Sequence, residues 1–303
     1  MRIGRAYGVT DTGRRRLRNE DAFICEPPLF AVADGMGGAR AGEVAARLAA
    51  AALEEAGTET RGEQGVTALI VEANRRIWER ALTDPATAGM GTTVTAALVD
   101  ARSGTVAVGH VGDSRAYLLR DGTLEQLTTD HSLVAELVQS GVLTPEEALR
   151  HPQRSAITRA LGTEPSVDVE TLTVEGRPGD LYLVCSDGVS VMLADEDIFE
   201  AIDGSGRDPA AAAEALVAAA NARGGEDNIT VVLFELVEGE APVDEAAAVS
   251  ESGKPAGAAP ETPDPDAEVA RHGAGPGGRA AALLLVGAVL VLGALALYWV
   301  ITR

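Results

Sequence analysis

The sequence predicts an α+β fold: two antiparallel sheets packed on each other with helices outside, followed by a linker and a transmembrane helix. Three observations in the N-terminal part carry the globular prediction. Strand-like and helix-like segments are mixed without strict alternation, which argues against repeated βαβ units. Val94–Val99 and Ile229–Phe234 are apolar on both alternating faces, so each strand must be covered on both sides. Asp121-Gly122 is a two-residue hairpin signal that demands antiparallel neighbours.

Along the chain, Arg5–Thr10, Ala22–Glu26 and Leu29–Ala33 read as short strands. Ala41–Glu55 is Ala-rich and helical, and Gly65–Ala81 is a second helix. Thr92–Val99, Thr105–Val111 and Arg115–Leu119 follow as strands, and Thr123–Leu127 returns after the hairpin turn. Ser132–Gln139 is a short helix; Val167–Val174 and Asp180–Cys185 are strands. Asp195–Ile202 and Pro209–Ala222 are helices, and Ile229–Leu236 is the last strand.

Residues 3–237 therefore form the folded unit. Residues 238–279 are rich in Pro, Ala and Gly, carry a run of acids and show no apolar periodicity, which reads as a disordered, self-repelling linker. Residues 280–301 are 22 uncharged, mostly aliphatic residues between Arg279 and Arg303. Tyr298 and Trp299 stand near the far end of the run, where interfacial aromatics belong. A run of about 20 such residues spans a bilayer. Residues 1–10 lack the apolar core of a signal peptide. The expected placement is thus a cell-membrane protein, single-pass, with its N-terminal domain, residues 3–237, cytoplasmic.

Composition removes several chemistries. The net charge is −21, opposite to that of a dedicated nucleic-acid binder. The only lysine is Lys254, followed by Pro255, so there is no P-loop and no phosphate-holding strand lysine. Cys25 and Cys185 are too few for a zinc cage, and neither has an arginine six positions on, as a cysteine-based phosphatase loop needs. Gly35-x-Gly37 would need its third dinucleotide-binding glycine at position 40, which is Arg40.

The informative feature is where the aspartates stand. Leu29–Ala33 runs into Asp34-Gly35, Val106–Val111 into Gly112-Asp113, and Leu181–Cys185 into Ser186-Asp187-Gly188. Gly224-Gly225-Glu226-Asp227 immediately precedes the last strand. Converging carboxylates without lysine partners would repel one another, and hard divalent cations with oxygen ligands are the physical remedy.

These strings, with Arg16-Leu17-Arg18-Asn19-Glu20-Asp21, Gly91-Thr92-Thr93 and Asp227-Asn228, resemble the metal-dependent PPM-type protein Ser/Thr phosphatases, the type 2C family. Asp34–Gly38 and His151–Arg154 are similar to its bacterial branch. The resemblance implies a four-layer αββα sandwich and two Mn²⁺ or Mg²⁺ ions. Asp34 would bridge both ions and Gly35 would offer its carbonyl. Asp187 and Asp227 would complete the set, with Asp113 at a third metal site and Asp21 holding metal-bound water. Arg16, five residues before Asp21, matches the family's phosphate-binding arginine, although Arg14, Arg15 and Arg18 leave a basic-patch reading open.

The implied reaction is hydrolysis of phosphoserine or phosphothreonine by a water or hydroxide held between the ions. Phosphorylated proteins are the implied partners, together with a membrane Ser/Thr kinase whose action the chain would oppose and the lipid bilayer; nucleic acid is not. Met36 stands where many eukaryotic relatives carry a histidine, so the general acid is open. His110 is expected to be a satisfied core residue, and His131 and His151 to be structural. Residues 130–162 correspond to the family's flap beside the site.

Overall fold

The computed structural model describes residues 1–37, 41–57, 60–148 and 150–239, all within one unit, Met1–Glu245. Among the described residues the strands form two five-stranded antiparallel sheets. The first contains β1 (Arg2–Asp11), β8 (Arg115–Arg120), β9 (Thr123–Gln126), β11 (Leu181–Cys185) and β12 (Ile229–Val237) in the order β1-β12-β11-β8-β9. The second contains β2 (Ala22–Glu26), β3 (Leu29–Ala33), β6 (Val94–Asp100), β7 (Thr105–Val111) and β10 (Glu170–Glu175) in the order β10-β7-β6-β3-β2. The two-residue strands β4 (Gly35–Met36) and β5 (Gly91–Thr92) pair separately.

Period-two alternation decides what each strand touches. On β3, Phe30 and Val32 face the other sheet, while Leu29, Ala31 and Ala33 face helices α1 (Ala41–Gly57) and α2 (Gly62–Thr83). On β11, Tyr182 and Val184 face inward, while Leu181, Leu183 and Cys185 face α6 (Asp195–Gly204) and α7 (Pro209–Ala222). The result is the expected order of layers: helices, sheet, sheet, helices. Phe30 and Phe234 stack across the central layer with ring centroids 4.0 Å apart, and Tyr182 stacks on Phe234 at 4.9 Å.

Helix starts follow the sequence closely. Ser132 caps α3 (Leu133–Gln139), its hydroxyl accepting the Ala135 N–H. Asp208 caps α7 in the same way through Ala211, with Pro209 in the first turn. Two short helices, α4 (Pro145–Ala148) and α5 (Asp187–Ser190), add to the expected elements. The strand expected over Thr92–Val99 is interrupted at Thr93, because that residue's backbone and hydroxyl are taken by Asp34. The strand expected from Val167 begins at Glu170, where pairing with His110 of β7 starts.

No helix among the described residues is long and apolar enough to cross a membrane. The expected linker beyond Gly239 and the apolar run at 280–301 lie outside the described residues.

Phe234 is fully buried and stacked on two rings. Phe234→Ala should therefore lower stability by roughly 3–5 kcal/mol, the usual cost of emptying a large buried aromatic site. Urea denaturation checks this.

Candidate active site

Strand register brings the acids together at one end of the sandwich. Ala33 at the end of β3 pairs with Ala22 at the start of β2, so Asp34 and Asp21 leave the sheet side by side. Val111 at the end of β7 pairs with Val94 at the start of β6, and Asp113 follows two residues later. In the other sheet, Cys185 ends β11 opposite Val231 and Arg115, and Asp187 follows. Ile229 opens β12 opposite Asp11, which places Asp227 beside the loop that carries Arg16.

The charges of Asp21, Asp187, Asp113 and Asp227 all act on Asp34. Burial first, and then the neighbouring carboxylates, push Asp34 well above its ordinary value of 3.8. Burial likewise pushes Asp21 up to about 7, against hydrogen bonds from Thr230 and Ser186 that favour its ionised form. Asp113 rises to about 7 by burial and then the charges of Asp187 and Asp130. Asp187 rises to about 6 by burial and then Asp227. Arg16 supplies the opposing charge: its Nη2 donates to Asp227 Oδ2 at 2.5 Å, and it faces Asp34 and Asp187 as well.

Asp34 is held by its backbone and Asp21 by a hydroxyl. The Thr93 N–H and the Thr92 hydroxyl both donate to the Asp34 carbonyl, at 2.9 and 2.8 Å. The Asp34 N–H returns to Thr93 Oγ1 at 3.2 Å. Asp21 Oδ2 accepts from the Thr230 hydroxyl at 2.6 Å. Gly35 lies against the start of α1: a Cβ there would stand 2.3 Å from the Gly42 carbonyl oxygen. Gly112 turns the chain toward Asp113 with φ +119°, where a Cβ would also strike Thr93 at 2.5 Å.

Asn228 joins the two loops that carry Arg16 and Asp227. Its Nδ2 donates to the carbonyls of Thr12 and Arg18 at 3.0 and 2.9 Å, and its Oδ1 accepts the Glu20 N–H at 2.8 Å. His131 clasps Gly112: its backbone N–H donates to the Gly112 carbonyl at 2.7 Å, and its Nδ1 accepts the Gly112 N–H at 3.1 Å. Nε2 therefore carries the proton and donates to Glu170 at 3.2 Å. Asp130 accepts two bonds from Arg115, each 2.8 Å.

His110 is buried. Its Nε2–H donates to the Thr129 carbonyl at 3.1 Å and its Nδ1 lies 2.8 Å from the Thr95 hydroxyl. Burial lowers its pKa to about 3, so it is a neutral core residue. Sequence reasoning assigns Thr92, Thr93, Thr230 and Asn228 no individual role. Their only signal is position within or beside the acid-bearing strings.

A cavity of about 600 Å³ opens from Asp113 and Asp187 toward α3 and α4 and is lined by Val134, Val138, Arg154 and Val191. The segment expected to form a flap thus faces the acids across open space.

Among the described residues, no three Asp, Glu, His or Cys side chains form a finished metal cage. The donor chemistry nevertheless fits hard cations. Oδ1 of Asp21, Asp113 and Asp187 is buried without a hydrogen-bond partner, which is costly unless a positive charge or donor meets it. The acid cluster supplies oxygen, the donor type that Mg²⁺ and Mn²⁺ prefer.

Comparison with known proteins gives a consistent result. Residues 13–218 match the family model described as protein phosphatase 2C. The chain is 42% identical over 238 residues to the serine/threonine phosphatase stp of Listeria welshimeri, covering 75% of this chain and 93% of that one. It superposes on the crystal structure of the Mycobacterium tuberculosis serine/threonine phosphatase PstP/Ppp with TM-score 0.73 and 41% identity, covering 78% of this chain and 100% of that one. A PstP catalytic domain in complex with two manganese ions matches with TM-score 0.72 and 39% identity, over 78% of this chain and 99% of that one.

The raised acids give a pH signature to the metal-free chain. Asp113 has a folded pKa of about 7 against 3.8. Its favourable, protonated state is present at low pH, and that contribution is lost as pH rises through about 7. In chelator, Asp113→Asn should therefore raise the stability measured by urea denaturation at about pH 8, by on the order of 1–3 kcal/mol, and change it little near pH 4. Equal effects at both pH values would contradict this.

Proposed function

The chain belongs to the protein phosphatase 2C family of metal-dependent Ser/Thr protein phosphatases, and on that premise we propose that it hydrolyses phosphoserine and phosphothreonine in proteins while tethered to a membrane. The observation that carries the site assignment is the convergence of Asp21, Asp34, Asp113, Asp187 and Asp227, three of them with unpartnered buried oxygens, with Arg16 facing Asp227, Asp34 and Asp187.

Asp34, Asp187, Asp227 and the Gly35 carbonyl would hold two Mn²⁺ or Mg²⁺ ions, as the related PstP domain holds manganese. Asp113, with Asp187, would serve a third site, and Asp21 would hold water beside the ions. Bound cations of this kind supply Lewis acidity and make water a nucleophile near neutral pH.

The chain's own residues do the rest. Arg16 binds two phosphoryl oxygens through its planar fork and offsets charge as the bond to the leaving oxygen breaks. Water attacks phosphorus in line with the Ser or Thr oxygen; a new P–O bond forms, the old one breaks, and the leaving oxygen takes a proton. Met36, 37% exposed after Asp34-Gly35, has no proton to give, so water is the donor we assign. Asn228 keeps Arg16 and Asp227 in register by tying their loops together.

The membrane tether rests on the uncharged run at 280–301 and on Arg271 and Arg279 before it against Arg303 after it, a bias that favours a cytoplasmic catalytic domain. A membrane Ser/Thr kinase sharing the substrates is the partner this placement suggests.

The full chain should release phosphate from a phosphothreonine peptide only when Mn²⁺ or Mg²⁺ is added; no release at any metal concentration would overturn the reading. Asp187→Asn should lower the rate by about 10²-fold or more, as removal of charge-stabilising groups does, with an unchanged circular dichroism spectrum. Protease added outside intact cells should leave the catalytic domain uncut and should cleave it once the cells are opened.

A further inference from the structure

We propose that Arg14, Arg15 and Arg18 form a reading surface for a second phosphate on the same substrate segment, so that multiply phosphorylated stretches are the preferred substrates. The proposal rests on the phosphatase reading above and extends it to substrate class.

Four of the five residues from 14 to 18 are arginine in a chain of net charge −21, and all five are exposed. Such a cluster is opposite in sign to its surroundings. It sits on the loop that carries Arg16 into the site. That loop is fastened along its length. The N–H groups of Arg14 and Arg15 donate to the Gly225 carbonyl at 2.7 and 3.2 Å, and the Gly13 N–H to Asp11 at 2.8 Å. Asn228 holds the carbonyls of Thr12 and Arg18. The guanidinium groups therefore project from a fixed backbone, which lowers the ordering cost of binding.

Little inside the chain neutralises these charges. Arg15 lies 3.6 Å from Glu226, with both side chains exposed, a weak pair. Arg18 acts on Glu20 only at longer range, where it favours the ionised carboxylate. Among the described residues, Arg14 and Arg18 make no ion pair. Leu17, 99% exposed between them, adds an apolar contact that a purely solvated charged face would not carry.

Reach fits a neighbouring phosphate. Arg14 and Arg18 stand two residues either side of Arg16, and an extended peptide advances about 3.3 Å per residue. A second phosphate two to four residues from the first would lie roughly 7–13 Å away, within range of long arginine side chains. A phosphate monoester carries close to two negative charges and three acceptor oxygens, against one charge and two oxygens on a carboxylate, so it engages several guanidinium forks at once where a glutamate engages one. A bilayer seated on this loop would cover the site that Arg16 enters, so substrate rather than membrane is the occupant.

The test uses the full chain with Mn²⁺ and three peptides of one sequence: a single phosphothreonine, the same with glutamate a few residues along, and the same with a second phosphothreonine there. Turnover and anisotropy-measured binding are both read, so that affinity is scored even if no phosphate is released. The doubly phosphorylated peptide should show kcat/KM about tenfold above the single one, through KM and shrinking with added salt. In R14Q/R15Q/R18Q that advantage should vanish while the single peptide is processed as before. R14K/R15K/R18K, which keeps charge without the fork, should retain part of it.

An advantage unchanged in R14Q/R15Q/R18Q overturns the proposal, and so does an equal gain from glutamate. Loss of binding to phosphatidylserine vesicles in that variant, with no change in peptide preference, reassigns the surface to the membrane. Failure of the wild-type chain on the single peptide, with the binding preference intact, would count against the phosphatase reading and not against this surface.

Discussion

Five carboxyl groups gathered at one end of a sandwich repel one another, and much of the structure exists to hold them there. Two unit charges about 5 Å apart at an effective dielectric near 20 oppose each other by about 3 kcal/mol. The charges of four neighbouring acids act on Asp34. The raised pKa values of Asp21, Asp113 and Asp187 are burial first and this repulsion second, expressed as retained protons. Arg16 relieves part of it through Asp227. Divalent cations relieve it more completely, which is why the same cluster that burdens the metal-free fold suits a metal-dependent phosphatase.

The scaffold answers the repulsion with backbone attachments. Asp34 is fixed through its own N–H and C=O by Thr92 and Thr93, so its carboxyl is left for other work. Asp113 is placed indirectly, through the clasp of His131 on Gly112. Asp227 and Arg16 depend on Asn228, a buried side chain that ties the loop before β12 to three backbone groups of the loop between β1 and β2. Side chains that perform no chemistry therefore set the chemistry's geometry. The Phe30–Phe234 stack below them keeps the two sheets, and so the two halves of the acid cluster, at a fixed spacing.

Charge is distributed unevenly on this framework. An acidic chain would repel phosphorylated proteins in general, yet the surface at the site mouth is arginine-rich. Local charge, rather than net charge, sets the field at the loop that carries Arg16. Net charge argues against nucleic acid as a partner and leaves an anionic protein substrate acceptable.

Much of this was legible from one sequence. The apolar runs of Leu29–Ala33 and Thr105–Val111 mark both strands at their observed limits, and Asp208-Pro209 marks the start of α7. The strings single out Asp34, Asp113, Asp187 and Asp227 because glycine, aspartate and a strand boundary recur together, whereas Asp21, with no glycine beside it, is marked only by the family resemblance. The two-residue strands β4 and β5 and the single turn of α5 were not legible, since elements that short have no period to detect. Thr93 reads as an ordinary strand residue until the pairing places it beneath Asp34. Local pattern thus identifies elements and reactive residue types, because periodicity, capping and turn chemistry are properties of neighbours in the chain. Which acids face one another, which threonine or asparagine secures them and where Arg16 reaches depend on strand register between residues far apart in the chain, as in the pairing of Asp11 with Ile229, and only the folded chain decides that.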